Sequence, residues 1–171
     1  MGQMKILLAL LATALLLSGC SAYGGQTISA SDIDAGRVQS NRQYCAMTLP
    51  AGWTWRPASW AAISPLGTAV AFADYLYGRP MNPEWDEAKR STIEQVTQRT
   101  PDVLISDDGD RLVIDYGPDG GYAVLQRFDR VGCQLTFSRV AGARVQEFAV
   151  WQQIIDSLER TSPDPSFTPA P

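Results

Sequence analysis

The chain of 171 residues contains no histidine. This absence removes the commonest general base, the Ser–His and Cys–His nucleophilic pairs and most zinc sites. Cations are also few, with 14 Lys and Arg residues against 18 Asp and Glu residues. A chain without clustered cations is a poor nucleic-acid binder, because it cannot neutralise many phosphates. The sequence also lacks P-loop, dinucleotide-binding, nucleophile-elbow and metal-ligand motifs. It therefore predicts no catalytic residue, no metal and no cofactor.

The N-terminal residues are typical of an export signal. Lys5 precedes an apolar stretch at 6–17, which at about 1.5 Å per residue is too short to cross a ~30 Å hydrocarbon core. The sequence Leu17-Ser18-Gly19-Cys20 that follows resembles the bacterial lipobox. The resemblance implies removal of a signal peptide at 1–19 and attachment of acyl chains such as palmitate to Cys20. The alternatives are an ordinary signal peptide and a buried cysteine. Lipidation predicts a protein anchored to the cell membrane and facing outside the cytoplasm.

The remaining composition, 45% hydrophobic and 19% charged, is that of one packed globular domain. Residues 20–42 are rich in Ser, Ala and Gly and predict a lipidated N-terminus with a flexible tether. Residues 161–171 contain four prolines and predict a disordered tail. The folded domain is therefore expected at 43–160.

The predicted domain is an antiparallel meander with two amphipathic helices. Alternating apolar residues between short Gly- and Asp-rich turns predict strands at 44–49, 69–75, 103–106, 111–116, 122–128 and 133–140. Asn82 is expected to cap a first helix that ends near Thr100. Apolar residues at helical spacing predict a second helix over 144–160. These elements indicate the α+β class.

Two short motifs give this domain a resemblance to the PsbP-like family, an α/β sandwich. They are Tyr44…Leu49-Pro50-x-Gly52-Trp53 at the first strand and Ile154-Ile155-x-Ser157-Leu158 near the end; the helix–meander–helix order is the third feature. The family includes the extrinsic lumenal subunit of photosystem II and many small bacterial lipoproteins. The resemblance implies a non-enzymatic accessory role in docking or assembly. The absence of histidine departs from the photosynthetic members, and no functional residue is carried over.

Cys45 and Cys133 are the remaining cysteines after Cys20. Two cysteines in an exported domain predict a disulfide, with two buried free thiols as the alternative. A bridge over this separation would stabilise the fold by about 4 kcal/mol in the chain-entropy model.

Trp53, Trp55 and Trp60 lie close together in a segment with no sustained periodicity. They would either pack against one end of the sheet or form a stacking platform for a sugar, a lipid or a protein partner. Trp60 is expected to be the most exposed of the three.

Two clusters of charged residues can be explained by the fold alone, without a bound ligand. The turn sequence Asp107-Asp108-Gly109-Asp110 lacks the distal ligand of a calcium loop and is typical of a hairpin turn. Arg127, Arg130 and Arg139 on neighbouring predicted strands would form either an anion-binding patch or a solvated sheet face.

The sequence therefore predicts a membrane-anchored lipoprotein that docks onto a protein partner in an envelope complex and performs no chemistry of its own. The alternative is a small-ligand module that binds a sugar or a lipid at the Trp53–Trp60 segment.

Overall fold

The computed structural model describes residues 26–27, 36–78, 82–117, 120–138 and 143–161. The signal peptide predicted at 1–19, Cys20 and most of the predicted tether and tail lie outside these residues. Among the helices described, none is long and apolar enough to cross a membrane.

The described residues form eleven strands and two helices. In chain order they are β1 (Gln26–Thr27), β2 (Arg37–Gln39), β3 (Cys45–Thr48), β4 (Thr54–Arg56), β5 (Ala61–Ile63), β6 (Ala69–Leu76), α1 (Trp85–Arg99), β7 (Leu104–Asp107), β8 (Arg111–Asp115), β9 (Tyr122–Phe128), β10 (Val131–Ser138), α2 (Ala143–Asp156) and β11 (Glu159–Arg160). Eight strands form a large antiparallel sheet in the order β1-β4-β5-β6-β10-β9-β8-β7. The other three form a small sheet in the order β11-β3-β2. The α+β class and the antiparallel meander are confirmed.

The inner face of the large sheet is covered by α2 and the small sheet. Alternate residues of β6 and β10, such as Phe72 and Phe137, are fully buried there. Trp151 of α2 stacks on Phe137 with ring centroids 5.0 Å apart. The predicted disulfide is present, and Cys45 of β3 is bonded to Cys133 of β10 with their Cα atoms 5.9 Å apart. The small sheet is therefore joined to the centre of the large one through the core.

The outer face is only partly covered. Helix α1 packs over β8 and β9, where the buried residues are Tyr77, Trp85, Leu112, Ile114, Ala123 and Leu125. The part of the outer face formed by β5, β6 and β10 has no helix over it among the described residues. This difference between the two faces determines where the candidate site lies.

The folded unit begins before residue 43, so the tether predicted over 20–42 is too long. Arg37–Gln39 pairs with β3, and the Leu49 amide donates to the Gly36 carbonyl at 2.8 Å. Val38 is buried in the core. A three-residue strand is too short to show periodicity, so no sequence pattern predicts this strand.

Two helix boundaries also differ from the prediction. Helix α1 begins at Trp85 with Glu84 at the N-cap position, because the Asn82 side chain donates to the Leu76 carbonyl at the end of β6 instead. Helix α2 ends at Asp156, because residues 159–160 pair with β3 as a strand. The helical spacing of Leu158 misled the prediction, since this residue is buried in the core from outside the helix.

Candidate docking surface

The structure separates the three tryptophans of the aromatic segment. Trp53 and Trp55 are only 2% and 6% exposed and belong to the main core. They are therefore core residues, and the predicted platform does not include them. Trp60 is 38% exposed and stands at the turn between β4 and β5. The sequence pattern did not predict this hairpin, because each of its strands has only three residues.

Trp60 is held in an unusual backbone conformation. It follows the 3₁₀ turn Pro57–Ser59 and has φ 48° and ψ 45°, which is the left-handed region. Its amide donates to the Pro57 carbonyl, and its carbonyl accepts from the Phe72 amide at 2.8 Å. This conformation costs a non-glycine residue roughly 1–2 kcal/mol. A bulky aromatic side chain is thus fixed at the surface despite local strain.

A shallow depression of about 310 Å³ lies beside Trp60 on the outer face. Its floor includes the small residues Ala71 and Ala73 of β6, and Gln134 and Thr136 of β10 line it too. The Gln134 amide donates to the Thr136 hydroxyl at 3.1 Å, so the polar side chains form their own hydrogen bond.

Tyr75, which is 42% exposed, connects this depression to a second one beside α1. The second depression has a volume of about 290 Å³ and is also lined by Gln134, by Arg42 and by Tyr77. We call the two depressions together the Trp60–Tyr75 groove. Because Tyr75 and Gln134 line both, the groove runs from the β4–β5 turn to the start of α1.

The end of the groove next to α1 is rigidly packed. The Tyr77 ring lies against Trp85 with centroids 5.1 Å apart. Burial, with a smaller contribution from Tyr75, raises the pKa of Tyr77 to about 12, so this phenol stays neutral. A Cβ atom on Gly132 would overlap the Tyr77 ring, so β10 needs glycine here.

The acidic turn fixes α1 to the sheet. Lys89 of α1 donates to both Asp107 carboxylate oxygens, at 2.9 and 2.8 Å, and to the Gly109 carbonyl. The hydrogen bond from Lys89 lowers the pKa of Asp107, and the reciprocal bond raises the pKa of Lys89. The Trp85 indole donates to the Gly109 carbonyl at 2.6 Å. The interpretation as a hairpin turn between β7 and β8 is confirmed.

The arginines predicted on neighbouring strands do not form a common patch in the described residues. Arg127 forms an ion pair with Asp110 and lies 5.8 Å from the Trp85 ring centroid. Arg130 is exposed in the turn after β9, and Arg139 lies outside the described residues.

Sequence reasoning missed Asp74, which is 2% exposed and lies opposite Cys133 in the sheet. One of its carboxylate oxygens accepts hydrogen bonds from the Ser40 hydroxyl and, at 3.0 Å, from the Tyr44 amide. Strand β5 pairs with β6 only as far as Ala71. Beyond Ala71, where β6 has no β5 partner, the hydrogen bonds of Asp74 hold the β2–β3 turn against β6. Arg42 belongs to this turn and therefore lies at the groove. The sequence did contain a signal for Asp74. It is a carboxylate at a position of β6 where the alternating pattern otherwise has buried apolar residues.

Comparison with known proteins finds no matching family model and no matching curated relative. Among solved structures, the chain is similar to the solution structure of cyanobacterial PsbP (CyanoP) from Synechocystis sp. PCC 6803. The sequence identity is 7%, the TM-score is 0.45, and the match covers 84% of this chain and 96% of that one.

Proposed function

We propose that this protein is a membrane-anchored extracytoplasmic lipoprotein whose domain docks onto a protein partner through the Trp60–Tyr75 groove. The observation that carries the proposal is the outer face of β5, β6 and β10, which no helix covers in the part of the chain that the structure describes. Helix α1 packs over β8 and β9 of the same face, and α2 and the small sheet cover the inner face. An accessory role without chemistry of its own is also what the PsbP-like resemblance implies.

The composition of the groove suits a protein partner. Trp60 and Tyr75 are exposed aromatic residues at a surface with a floor of alanines. Tryptophan and tyrosine are enriched among the residues that dominate binding energy, and small neighbours allow a partner backbone to approach closely. Gln134 and Thr136 would supply polar contacts at the same surface.

The charged groups of the acidic turn form ion pairs, which favours docking over chemistry. Lys89 neutralises Asp107, and Arg127 neutralises Asp110. On the inner side, Arg144 pairs with Asp115, with side chains only 18% and 20% exposed. Hydrogen bonds from Lys89 and Arg144 lower the pKa values of Asp107 and Asp115, so these two carboxylates stay ionised and are poor proton donors at neutral pH.

The proposed anchor would place this surface close to a membrane. Gln26, which pairs with Trp55 of β4, is six positions after Cys20. At about 3.3–3.6 Å per residue, a lipid on Cys20 could be attached no more than ~20 Å from this edge of the sheet. Strand β4 leads directly to the turn that carries Trp60. The partner that best fits this arrangement is a protein at the membrane surface.

Photo-crosslinking in intact membranes tests the docking surface. A benzoylphenylalanine in place of Ala71 reports from the groove, and the same residue in place of Val145 serves as the matched control. Val145 is 93% exposed on α2, which covers the opposite face of the sheet. We expect one defined protein adduct from position 71 and none from position 145. Equal labelling from both positions would contradict a specific docking surface.

The anchor needs its own test, because docking and lipidation are separate claims. Cys20→Ala should move the protein from the membrane fraction to the soluble fraction. A variant that remains in the membrane fraction would contradict lipid anchoring at Cys20. The crosslinking result would then test the docking surface independently of the anchor.

A small-ligand module is the second candidate, and the two depressions favour it to a limited degree. Their volumes of about 310 and 290 Å³ are at the lower end of the range for sites that enclose a ligand of drug size. A sugar or a lipid bound there would add a small, fixed mass to the isolated chain. Native mass spectrometry distinguishes that outcome from a protein partner.

A further inference from the structure

The Trp60–Tyr75 groove has the width of one α-helix. Helix α1 packs over β8 and β9, and the next strands across the sheet are β10 and β6, which form the floor of the groove. With neighbouring strands about 4.8 Å apart, the line between β10 and β6 is two spacings, or ~10 Å, from the line between β9 and β8. Packed helices lie about 8–10 Å apart. A helix over β10 and β6 would therefore be in contact with α1.

Helix α1 forms one wall of the groove and lies along the strands. The indole of its first residue, Trp85, donates to the Gly109 carbonyl in the turn that follows β7, whereas its C-terminal end leads to the start of β7 at Leu104. Ala88 and Thr92, which are one turn apart on α1, line the groove. The Thr92 hydroxyl donates to the Ala88 carbonyl at 2.8 Å. The wall thus has small side chains, and small side chains allow a second helix to approach closely.

The floor of the groove offers a partner side chains rather than an open strand edge. Strand β10 pairs with β6 at eight residues and with β9 at seven. Strand β6 pairs with β5 up to Ala71, and beyond it the hydrogen bonds of Asp74 hold the β2–β3 turn against this edge. A partner strand binds mainly through the backbone groups of an exposed edge. A helix satisfies its backbone internally and binds through side chains, so it suits this floor better.

The charge of the groove defines the polar part of its occupant. Arg42 is the charged side chain in the lining of the two depressions, and neither lining contains a carboxylate. Arg42 is exposed and forms no ion pair among the described residues. Complementary charge gives an interface specificity and fixes its register. The groove therefore fits a helix whose apolar stripe is accompanied by an acidic residue.

This chain has no helix to spare for the groove among its described residues. Trp85 of α1 and Trp151 of α2 are 3% and 0% exposed, because each helix buries an apolar face against the sheet of its own domain. A second copy of the chain would have to unpack one of these helices. The occupant that fits is therefore a helix of a different protein.

We propose that the docking partner places an amphipathic α-helix in the Trp60–Tyr75 groove, alongside α1 and over β6 and β10, with an acidic residue facing Arg42. This inference deepens the proposed function and rests on it. The groove follows the chain from Ala71 to Tyr77, about 20 Å at 3.3 Å per residue. At 1.5 Å per residue, about 13 residues of helix fill that length.

Photo-crosslinking with mapping of the labelled residues tests the helix. Benzoylphenylalanine replaces Ala71 or Ala73 on the floor, or Thr92 on α1, in the full chain in intact cells. Peptide mass spectrometry then identifies the labelled residues of the partner. We expect all three positions to label one segment of one protein, at residues three, four or seven apart. Position 145 on α2 is the control and should give no adduct.

A synthetic peptide of the labelled segment tests the conformation independently. Binding to the full chain in detergent should increase the helical circular dichroism of the peptide. A proline at the centre of the peptide should weaken binding at least tenfold, because proline disrupts a helix interior. The matched control is a proline at the first position of the segment, which a helix tolerates and which should leave binding unchanged.

A charge exchange tests the register of the helix. Arg42→Asp should weaken peptide binding about two- to fivefold, as expected for one exposed ion pair. Changing the acidic residue of the peptide to arginine should restore binding to this variant. Arg90→Asp on α1 is the control and should have no effect, because Arg90 does not line the groove.

The other outcomes overturn the helix and separate its failure from that of the proposed docking. Labelled residues two apart would show a bound strand, and labels on separate segments would show a folded surface without a docked helix. An adduct of dimer mass would show a second copy. In these three cases a protein still docks in the groove, and only the helix is wrong. If positions 71, 73 and 92 give no protein adduct, the docking itself is wrong and the helix is wrong with it.

Discussion

The two faces of the large sheet are built from neighbouring residues of the same strands, but they differ in how far other elements cover them. On β10, Leu135 is fully buried against the inner core, whereas Gln134 and Thr136 line the groove on the outer face. The inner face is covered by α2 and by a small sheet that is fixed through a disulfide. The outer face is covered by α1 over only part of its width. Stability is thus concentrated on one face, whereas part of the other face has no covering element among the described residues.

The largest expected effect comes from the bridge through the inner core. Cys45→Ala with Cys133→Ala should lower the free energy of unfolding by about 4–5 kcal/mol, because the bridge closes a loop of 88 residues. Urea unfolding of the variant and the oxidised parent measures the difference. A loss below about 1 kcal/mol would show that the small sheet does not depend on this bond.

Adjacent residues of β10 provide the sharpest comparison between the faces. Leu135→Ala should cost about 3 kcal/mol, because it removes buried methyl groups and leaves a cavity. Thr136→Ala should cost less than about 1 kcal/mol, because this side chain is half-buried and its partner Gln134 remains solvated. Both variants are compared by urea unfolding. Equal losses would contradict the division into a stabilising face and a docking face.

Ion pairs on the two sides should differ in their dependence on pH. The hydrogen bond from Arg144 and, to a smaller extent, the Gly117 amide lower the pKa of Asp115 in the folded protein. The stabilisation is therefore present above the ordinary aspartate pKa and is lost as the pH falls through the lowered value. Asp115→Asn should cost about 1–2 kcal/mol at pH 7, and the difference from the parent should shrink below about pH 4.

Asp110→Asn is the matched control on the outer side. Its pair with Arg127 is more exposed, with side chains 62% and 36% accessible, so the loss should stay below about 1 kcal/mol. Thermal unfolding across pH 3–7 measures both variants. The expectation fails if Asp115→Asn has no greater effect than Asp110→Asn at neutral pH.

The smallest effect on stability is expected at Trp60. Trp60→Gly relieves the left-handed backbone but removes partly buried aromatic surface, so the free energy of unfolding should change by less than about 1 kcal/mol. Partner crosslinking from position 71 should nevertheless fall strongly. A large loss of stability would mean that Trp60 serves the fold rather than docking.

Regular elements were predictable from the sequence, and short ones were not. The alternation in 122–128 predicted β9 at the same bounds that the structure shows. Strands of two or three residues, such as β2 and β11, carry no periodic signal because pairing with β3 determines them. The disulfide was predictable from the number of cysteines and the predicted export signal, and the structure confirms the disulfide.

The candidate surface was only partly predictable. Exposure of Trp60 was expected, but its separation from Trp53 and Trp55 depends on a hairpin that local sequence did not indicate. The groove also needs Arg42, which reaches it only because Asp74 binds the β2–β3 turn across the sheet. Such long-range contacts produce no pattern among residues that are close in sequence, so the sequence alone does not indicate them.

The most direct test of the docking surface is native mass spectrometry of the full chain, extracted in mild detergent from the membranes to which we propose it is anchored. The parent should carry a stoichiometric protein partner, and the variant Trp60→Gly with Tyr75→Ser should lose it while keeping its fold and the acyl mass that we propose. A parent chain found alone with a small extra mass would contradict the docking account and would indicate a bound sugar or lipid instead.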